Sequence, residues 1–378
     1  MAVRFEMVSG VERVDPAVWN RLSRNAAPMM EWEYLYCLER SGVLTPERGF
    51  VPRHILAYED GKIVAIAPLY ERVRPWVEFG DGGLLRFLGE LTGYPYYVGL
   101  MATVPLTPVP AYQFLYGLER DPVKVYSIVG EYVDFVCETR GFATCRIYFF
   151  CDPAPGLHEA LLRKGYVGLR SDYCLWRNKG YADFDDFLQD FRSPRRHKIR
   201  REMRDIEAEG IRLAMVPGED APADYYDVIY DLYELTWKKY MGDEVRPFLN
   251  RRFFHMLGRL FRHRLLFSVA RRGRDLLALA LFYHKGDHLY GRYWGSYDQV
   301  PFLHFAVCYY QPIRYAIAQG IRVLDPGFGG EHKTYRGFET TTVQHYIKFY
   351  GEEETRMAHS ILGRYGGAPP EEGGRFVR

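Results

Sequence analysis

An internal repeat constrains this chain more than any other feature, because a repeated unit sets the fold of both its copies at once. Residues 3–10, VRFEMVSG, match 211–218, IRLAMVPG, and both read as a short strand ending at a glycine. Helical sequence follows each: PAVWNRLSRN from Pro16, and ADYYDVIYDLYELTWKKY from Ala223. A second helix comes after Pro28 and again after Pro247. HILAYEDGKIVAIAPLY then reads as a hairpin turning at Asp60-Gly61. Its counterpart, LLFSVARRGRDLLALALFYHKGDHLYGRYWGSY, reads as a three-strand meander turning at Gly273 and at Gly286-Asp287. A helix, a glycine and a strand follow, through Gly141 in one copy and Gly320 in the other. The last matched pair is LLRKGYVGLRSDYCLWR with KTYRGFETTTVQHYIKF, which aligns Gly165 with Gly337.

Strands and helices in this order predict an α/β protein with mixed α+β sheets, built as a tandem of two like domains. The first domain spans 1–178 and carries an insertion near 75–115, rich in glycine, proline and aromatics. Residues 179–209 form a helical connector that opens the second domain, 179–350, and 351–378 is a polar tail expected to lack order.

Length and composition agree with two ordinary cores: 378 residues, 48% hydrophobic and 26% charged. A net charge of +2 is too small for general nucleic-acid binding, so any such affinity must come from a local patch. The six cysteines show no CxxC pair, which argues against a zinc site and for reduced thiols. No signal peptide and no membrane span is visible, so a soluble, cytoplasmic protein is expected.

Four stretches carry a resemblance: 289–320, LYGRYWGSYDQVPFLHFAVCYYQPIRYAIAQG; 329–346, GGEHKTYRGFETTTVQHY; 93–109; and 184–211. Together they resemble the FemAB-like family of predicted bacterial N-acyltransferases. The resemblance implies two GNAT-like domains and transfer of an acyl group, fatty acyl or aminoacyl, from an activated ester or thioester to a primary amine. The acceptor would be a peptide, a small molecule or a cell-wall precursor. Fem-type relatives take aminoacyl groups from tRNA, whereas the broader superfamily uses coenzyme A or a carrier protein. The implied co-substrate is therefore aminoacyl-tRNA, acyl-carrier protein or acyl-CoA, with no tightly bound cofactor and no metal. Two departures stand out: Ala306 replaces the glutamate more usual in the family, and Asp325-Pro326-Gly327-Phe328 replaces a glutamate-led run. A non-catalytic binding protein on the same fold is the rival reading, to which the Ala306 departure lends some support.

Four segments supply candidate site residues. Along 302–319, Leu303, Val307, Tyr310 and Ile317 recur at helical spacing as an apolar stripe, while His304, Cys308, Gln311 and Tyr315 share another face. That polar face can line a substrate cleft, with His304 as general base, or be merely half-exposed. Pro312 cannot donate to the Cys308 carbonyl and should disturb the helix there. Cys308 as a covalent acyl carrier is the weaker alternative to direct transfer.

Glu331-His332-Lys333, after Gly329-Gly330, groups a carboxylate, an imidazole and an ammonium suited to proton transfer and to an oxyanion. Tyr335 and Arg336 follow as substrate contacts, and the bland alternative is a solvated charged turn. In LYGRYWGSY, alternation places Tyr290, Arg292, Trp294 and Ser296 on one face, where Arg292 and Trp294 suit an anionic or planar group; core packing is the other reading.

The connector SPRRHKIRREMRDIEAEG should be a helix capped by Ser193, burying Ile199, Met203 and Ile206. Its Arg195, Arg196, Arg200, Arg201 and Arg204 are candidates for donor phosphates, or else form a solvated basic face. Coenzyme A enzymes of the GNAT type carry a glycine loop for the pyrophosphate before their third helix. The matching junctions here, SYDQVPFLHFA and LYGLERDPVKVY, have no such glycines, which favours tRNA or a carrier protein. On this reading the second copy holds the active site and the insertion of the first shapes an acceptor or acyl channel.

Overall fold

The structure is a computed structural model that describes residues 3–75, 79–81, 83–329 and 331–364, with Glu331, Gly363 and Arg364 described by backbone alone. The chain forms two units. One joins residues up to Ser171 with those from Val343 onward; the other is Asp172–Thr342.

In the first unit, strand β1 (Arg4–Val8) leads to helices α1 (Pro16–Leu22) and α2 (Trp32–Arg40). Strands β2 (Phe50–Pro52), β3 (His54–Glu59), β4 (Lys62–Ala67) and β5 (Tyr70–Arg72) follow. The insertion folds as helix α3 (Leu84–Thr92) and strand β6 (Gly99–Ala102), with β7 (Leu115–Tyr116) at its end. Helix α4 (Pro122–Arg140), capped by the Asp121 carboxylate, precedes β8 (Thr144–Phe150). A short helix α5 (Leu157–Arg163) and strand β9 (Val167–Arg177) complete the first copy. One sheet of this unit runs β1-β3-β4-β7; in the other, β8 lies parallel to β6 on one side.

The second unit repeats the order. After a single helical turn, α6 (Phe184–Phe187), the connector is helix α7 (Ser193–Ala208), followed by β10 (Ile211–Pro217), α8 (Tyr225–Met241) and α9 (Arg251–Leu260). The meander is β11 (Leu265–Arg272), β12 (Asp275–Lys285) and β13 (His288–Ser296). Helix α10 begins at Leu303–Phe305, passes through a π-helical turn at Ala306–Tyr310 and continues as Gln311–Ala318. Then come β14 (Val323–Asp325), a 3₁₀ segment Glu331–Arg336 and β15 (Glu339–Phe349). The fold is thus the expected α/β tandem with mixed sheets.

Each copy's last strand serves the other unit. The end of β9 pairs with β14 at Trp176 and Arg177, inside the second unit. Residues Gln344–Phe349 of β15 pair antiparallel with β8, inside the first. The boundaries between the units therefore fall within these two strands, at 171 and 342, rather than at 178.

Several local expectations are corrected. Ser193 is not the cap of α7: Arg192 holds that position, and the Ser193 hydroxyl lies 3.1 Å from His197 Nδ1 within the first turn. The segment after 350 is not simply a tail, since Glu352–Arg364 is helical. Three glutamates in its first turn suit the positive end of a helix dipole, and Ala358 and Leu362 are buried. Residues 365–378 lie outside the described part. The disturbance expected from Pro312 is the π turn: a proline that gives no N–H to its i−4 carbonyl is preceded by five residues in the wider register.

Strand β13 packs against α8 so closely that Gly295 has no room for a side chain. A Cβ there would collide with the Leu232 carbonyl oxygen, and that oxygen is backbone and cannot rotate away. Gly295→Ala is therefore expected to destabilise the chain by about 2 kcal/mol or more, seen as a lower urea midpoint at unchanged slope. Wild-type stability in that variant would mean that helix and strand separate easily.

Candidate active site

The second unit buries one contiguous core under α7, the meander and α10, and the candidate residues border it. The apolar stripe of α10 is buried as expected: Leu303, Val307, Tyr310 and Ile317 are all inside, while His304, Cys308, Gln311 and Tyr315 are half-buried. β13 and β14 run parallel only over three residue pairs, ending at Tyr290 with Asp325. Beyond that point the chain after β14 turns through Asp325–Gly327 into the 3₁₀ segment that carries His332 and Lys333.

Two clusters form there. The first centres on Asp325, whose side-chain Oδ1 accepts from the Tyr173 hydroxyl at 2.7 Å and from the Gly327 amide at 2.8 Å. Burial raises the Asp325 carboxyl above the ordinary range, against the pull of those donors and of Lys333 and Arg292. Lys333 is buried, donates to the Gly327 carbonyl at 2.7 Å, and is brought down to about 8 by desolvation despite the nearby Asp325. Arg292 is felt by Asp325 and by Lys333, which places it at this cluster.

Its position follows from a β-bulge. The pairing of β12 with β13 shifts between Leu281 and Phe282, and Arg292 is the residue left over. Alternation holds beyond it: Tyr293 packs on Tyr233 and Phe254 of α8 and α9, with Gly295 on the same side, while Trp294 lies on His304 on the other. The glycines of this strand admit backbone and helix rather than a ligand: Gly291 faces Phe282 and the Asp325 carbonyl, and Gly295 faces α8.

The second cluster is aromatic. The His304 ring lies 4.4 Å from Trp294, 5.2 Å from Tyr309 and 5.7 Å from His332, centroid to centroid. Tyr309 and His332 are joined by a 2.9 Å hydrogen bond between the hydroxyl and Nε2. Burial, then His332, Arg336 and Lys333, hold His304 down at about 3. Burial, then Arg336 and Lys333, also lower His332. Both imidazoles are therefore neutral near pH 7.

The other candidates divide. Arg336 is buried, stacked 3.3 Å over the Phe305 ring and tied to Glu202, so its charge is committed to the protein. Burial pushes the Cys308 thiol well up, which opposes its use as a thiolate carrier. No hydrogen bond or ring contact links Gln311 or Tyr315 to either cluster among the described residues. Tyr335 is exposed on the outside, with the Arg195 guanidinium 4.6 Å over its ring. The Glu331 side chain lies outside the described part, as does Gly330.

On α7, Arg196 reaches Gln189 at 2.9 Å and Arg200 pairs with Asp185 at 2.8 Å. Arg201 and Arg204 are exposed and form no ion pair among the described residues. No group of three or more potential metal ligands occurs among the described residues, and no helix there is long and apolar enough to cross a membrane.

Sequence reasoning did not count Asp325, Tyr309 or Glu202 among the candidates that they contact. Glu202 had a usable signal, an acid at the buried spacing of Ile199, Met203 and Ile206, and Asp325 had one as the acid in place of the family's glutamate.

The model of the FemAB-like family, described as peptidoglycan biosynthesis/recognition, matches residues 10–362. The chain belongs to the FemAB-like family. Among solved structures, that of FemX is similar over 95% of this chain and 99% of its own, at a TM-score of 0.57 and 10% identity. The C-terminal domain of a putative lysylphosphatidylglycerol synthetase from Agrobacterium fabrum matches 93% of this chain and 96% of its own, at 0.55 and 12%. L-PGS from Bacillus licheniformis matches 92% and 96%, at 0.50 and 10%. At such identities the likeness is one of fold alone. No curated protein matches the sequence.

Proposed function

We propose that this FemAB-like protein moves an acyl group from an activated ester or thioester to a primary amine, with its active site in the second copy, residues 179–350. The observation that carries the reading is the meeting of Lys333 with two neutral imidazoles where β13 and β14 end their pairing. The attacking amine must lose a proton as its nitrogen bonds to the acyl carbon. His304, held at about 3, is too weak a base to keep that proton. His332 is the better acceptor: in the tautomer whose Nε2–H donates to the Tyr309 oxygen, Nδ1 has no hydrogen-bond partner among the described residues and takes the proton. The Lys333 ammonium, turning from the Gly327 carbonyl, offsets charge on the tetrahedral oxygen. Collapse of that intermediate expels the donor's alcohol or thiol.

The donor is carried on a macromolecule. The segment before α10 offers no amide cradle for a pyrophosphate: Pro301 has no N–H, and the Leu303 amide is already bonded to the Val300 carbonyl. Exposed Arg201, Arg204 and Lys198 on α7 supply phosphate contacts for aminoacyl-tRNA or for the prosthetic arm of a carrier protein. The FemAB-like description, peptidoglycan biosynthesis/recognition, supports an amine on a peptide or cell-wall precursor as acceptor.

The test is the pure full chain incubated with aminoacyl-tRNA, acyl-carrier protein or acyl-CoA and an amine acceptor, read by the acceptor's mass. Transfer is expected from the first or second donor and is lost in His332→Ala. Donor binding should weaken steeply with salt, and Lys198→Glu with Arg201→Glu and Arg204→Glu should raise its Kd at least tenfold at unchanged melting temperature. Tight, salt-insensitive binding of acyl-CoA would overturn the donor assignment. No transfer from any donor would favour a binding protein.

A further inference from the structure

Glu202 lies on the connector, two turns along α7, yet it is buried at 2% exposure. Its carboxylate accepts from the Tyr310 hydroxyl and lies 3.4 and 3.5 Å from Nη2 of Arg336. Arg336 in turn donates from Nη1 to the His332 carbonyl at 3.1 Å and has its guanidinium carbon 3.3 Å over the Phe305 ring. One buried anion thus grips three pieces of the site. It holds the π turn of α10 through Tyr310, the 3₁₀ segment through Arg336, and the backbone of the histidine that pairs with Tyr309.

Stability does not account for this arrangement. A buried ion pair gains little over apolar side chains of the same volume, because both charges must leave water. Here the guanidinium is also incompletely satisfied, since its Nε has no hydrogen-bond partner among the described residues. What the pair supplies is direction. An apolar contact would let the 331–336 segment slide, whereas a fork bonded on one side to Glu202 and on the other to the His332 carbonyl sets both its height and its rotation.

The geometry points to Glu202 as a positioning residue: acting through Arg336, it sets the His332 imidazole against Tyr309 and His304. This rests on the proposed role of His332, but its structural half can be tested without substrate.

The experiment uses the full chain with labelled histidine and tyrosine rings, His332 being assigned by its loss in His332→Asn. Glu202→Met with Arg336→Met removes both charges and keeps apolar volume. The double variant is expected to melt within a few degrees of wild type, to lose the cross-relaxation between the His332 and Tyr309 rings, and to transfer acyl groups at least tenfold more slowly. Glu202→Gln keeps the shape without the charge and is expected to weaken the same cross-relaxation; it carries the test if the double variant does not fold. Unchanged cross-relaxation in a folded variant overturns the inference, even if wild type proves an acyltransferase. Lost cross-relaxation beside a wild type that transfers nothing leaves the positioning role standing and removes the proposed function.

Discussion

Lys333→Met is expected to lower acyl transfer by about 10²–10³-fold while the chain keeps its fold, the effect typical of losing one oxyanion donor. Lys333 is held at about 8, so the active ammonium is present at neutral pH and disappears above it. Turnover should therefore fall as pH rises through 8. Lys333→Arg, which stays charged, should lose that alkaline limb even if its turnover is poor. Stability moves the opposite way. The folded chain gives up this proton near 8 and the unfolded chain only near the ordinary lysine value of 10.5. Between those values the unfolded state binds more protons, so folding gains as pH rises, and the gain is absent in Lys333→Met. Full activity in Lys333→Met, or an alkaline limb untouched by Lys333→Arg, would remove Lys333 from the chemistry.

Acid should unfold both units through a histidine each. His345 is fully buried in the first unit; its Nδ1 accepts from the Phe149 amide at 3.0 Å, and its Nε2 lies 3.1 Å from the Ser171 hydroxyl. Burial lowers it to about 4, and His304 in the second unit is lowered to about 3. Both are neutral in the folded state and must be charged in the unfolded one below the ordinary value of 6.5. Stability is therefore intact above that value and is lost as pH falls from 6.5 toward 4 and 3, by about 1.4 kcal/mol per pH unit for each histidine. His345→Asn, whose amide oxygen can still take the Phe149 hydrogen bond, should flatten the acid limb of the first unit. Urea midpoints between pH 4 and 7 measure this. Parallel profiles for wild type and His345→Asn would show that the limb has another source.

Much of this fold was legible because each repeated element carries its own local mark. Asp60-Gly61 and Gly273 announce turns, and the apolar stripe of α10 announces its buried side. What was not legible depends on partners distant in the chain. The alternation of β9 and β15 says strand but not which strand lies beside it. The bulge at Arg292 arises from a mismatch in pairing with β12, which β13 alone does not encode. In the candidate site, the stretches that carry the resemblance hold His304, His332 and Lys333, which the fold brings near one another. Arg336 was read correctly as a charge near the site and wrongly as one free for substrate, because its partner Glu202 stands on a different helix. Asp325 was noticed only as a departure, although its carboxyl sits at the centre of the Lys333 cluster.

The crossing over of β9 and β15 has a consequence for synthesis. The ribosome delivers β8 early, but the neighbour it pairs with on one side, Gln344–Phe349, arrives only after the entire second unit has been made. At ordinary elongation rates of about 5–20 residues per second, the edge of β8 waits roughly 10–40 s for its partner. The second unit, by contrast, is continuous from Asp172 to Thr342 and can close while the first is still open. An unpaired edge is where chains of one kind find each other. The nascent protein is thus most exposed to aggregation in its first-made half, and slow codons late in the message would lengthen that exposure.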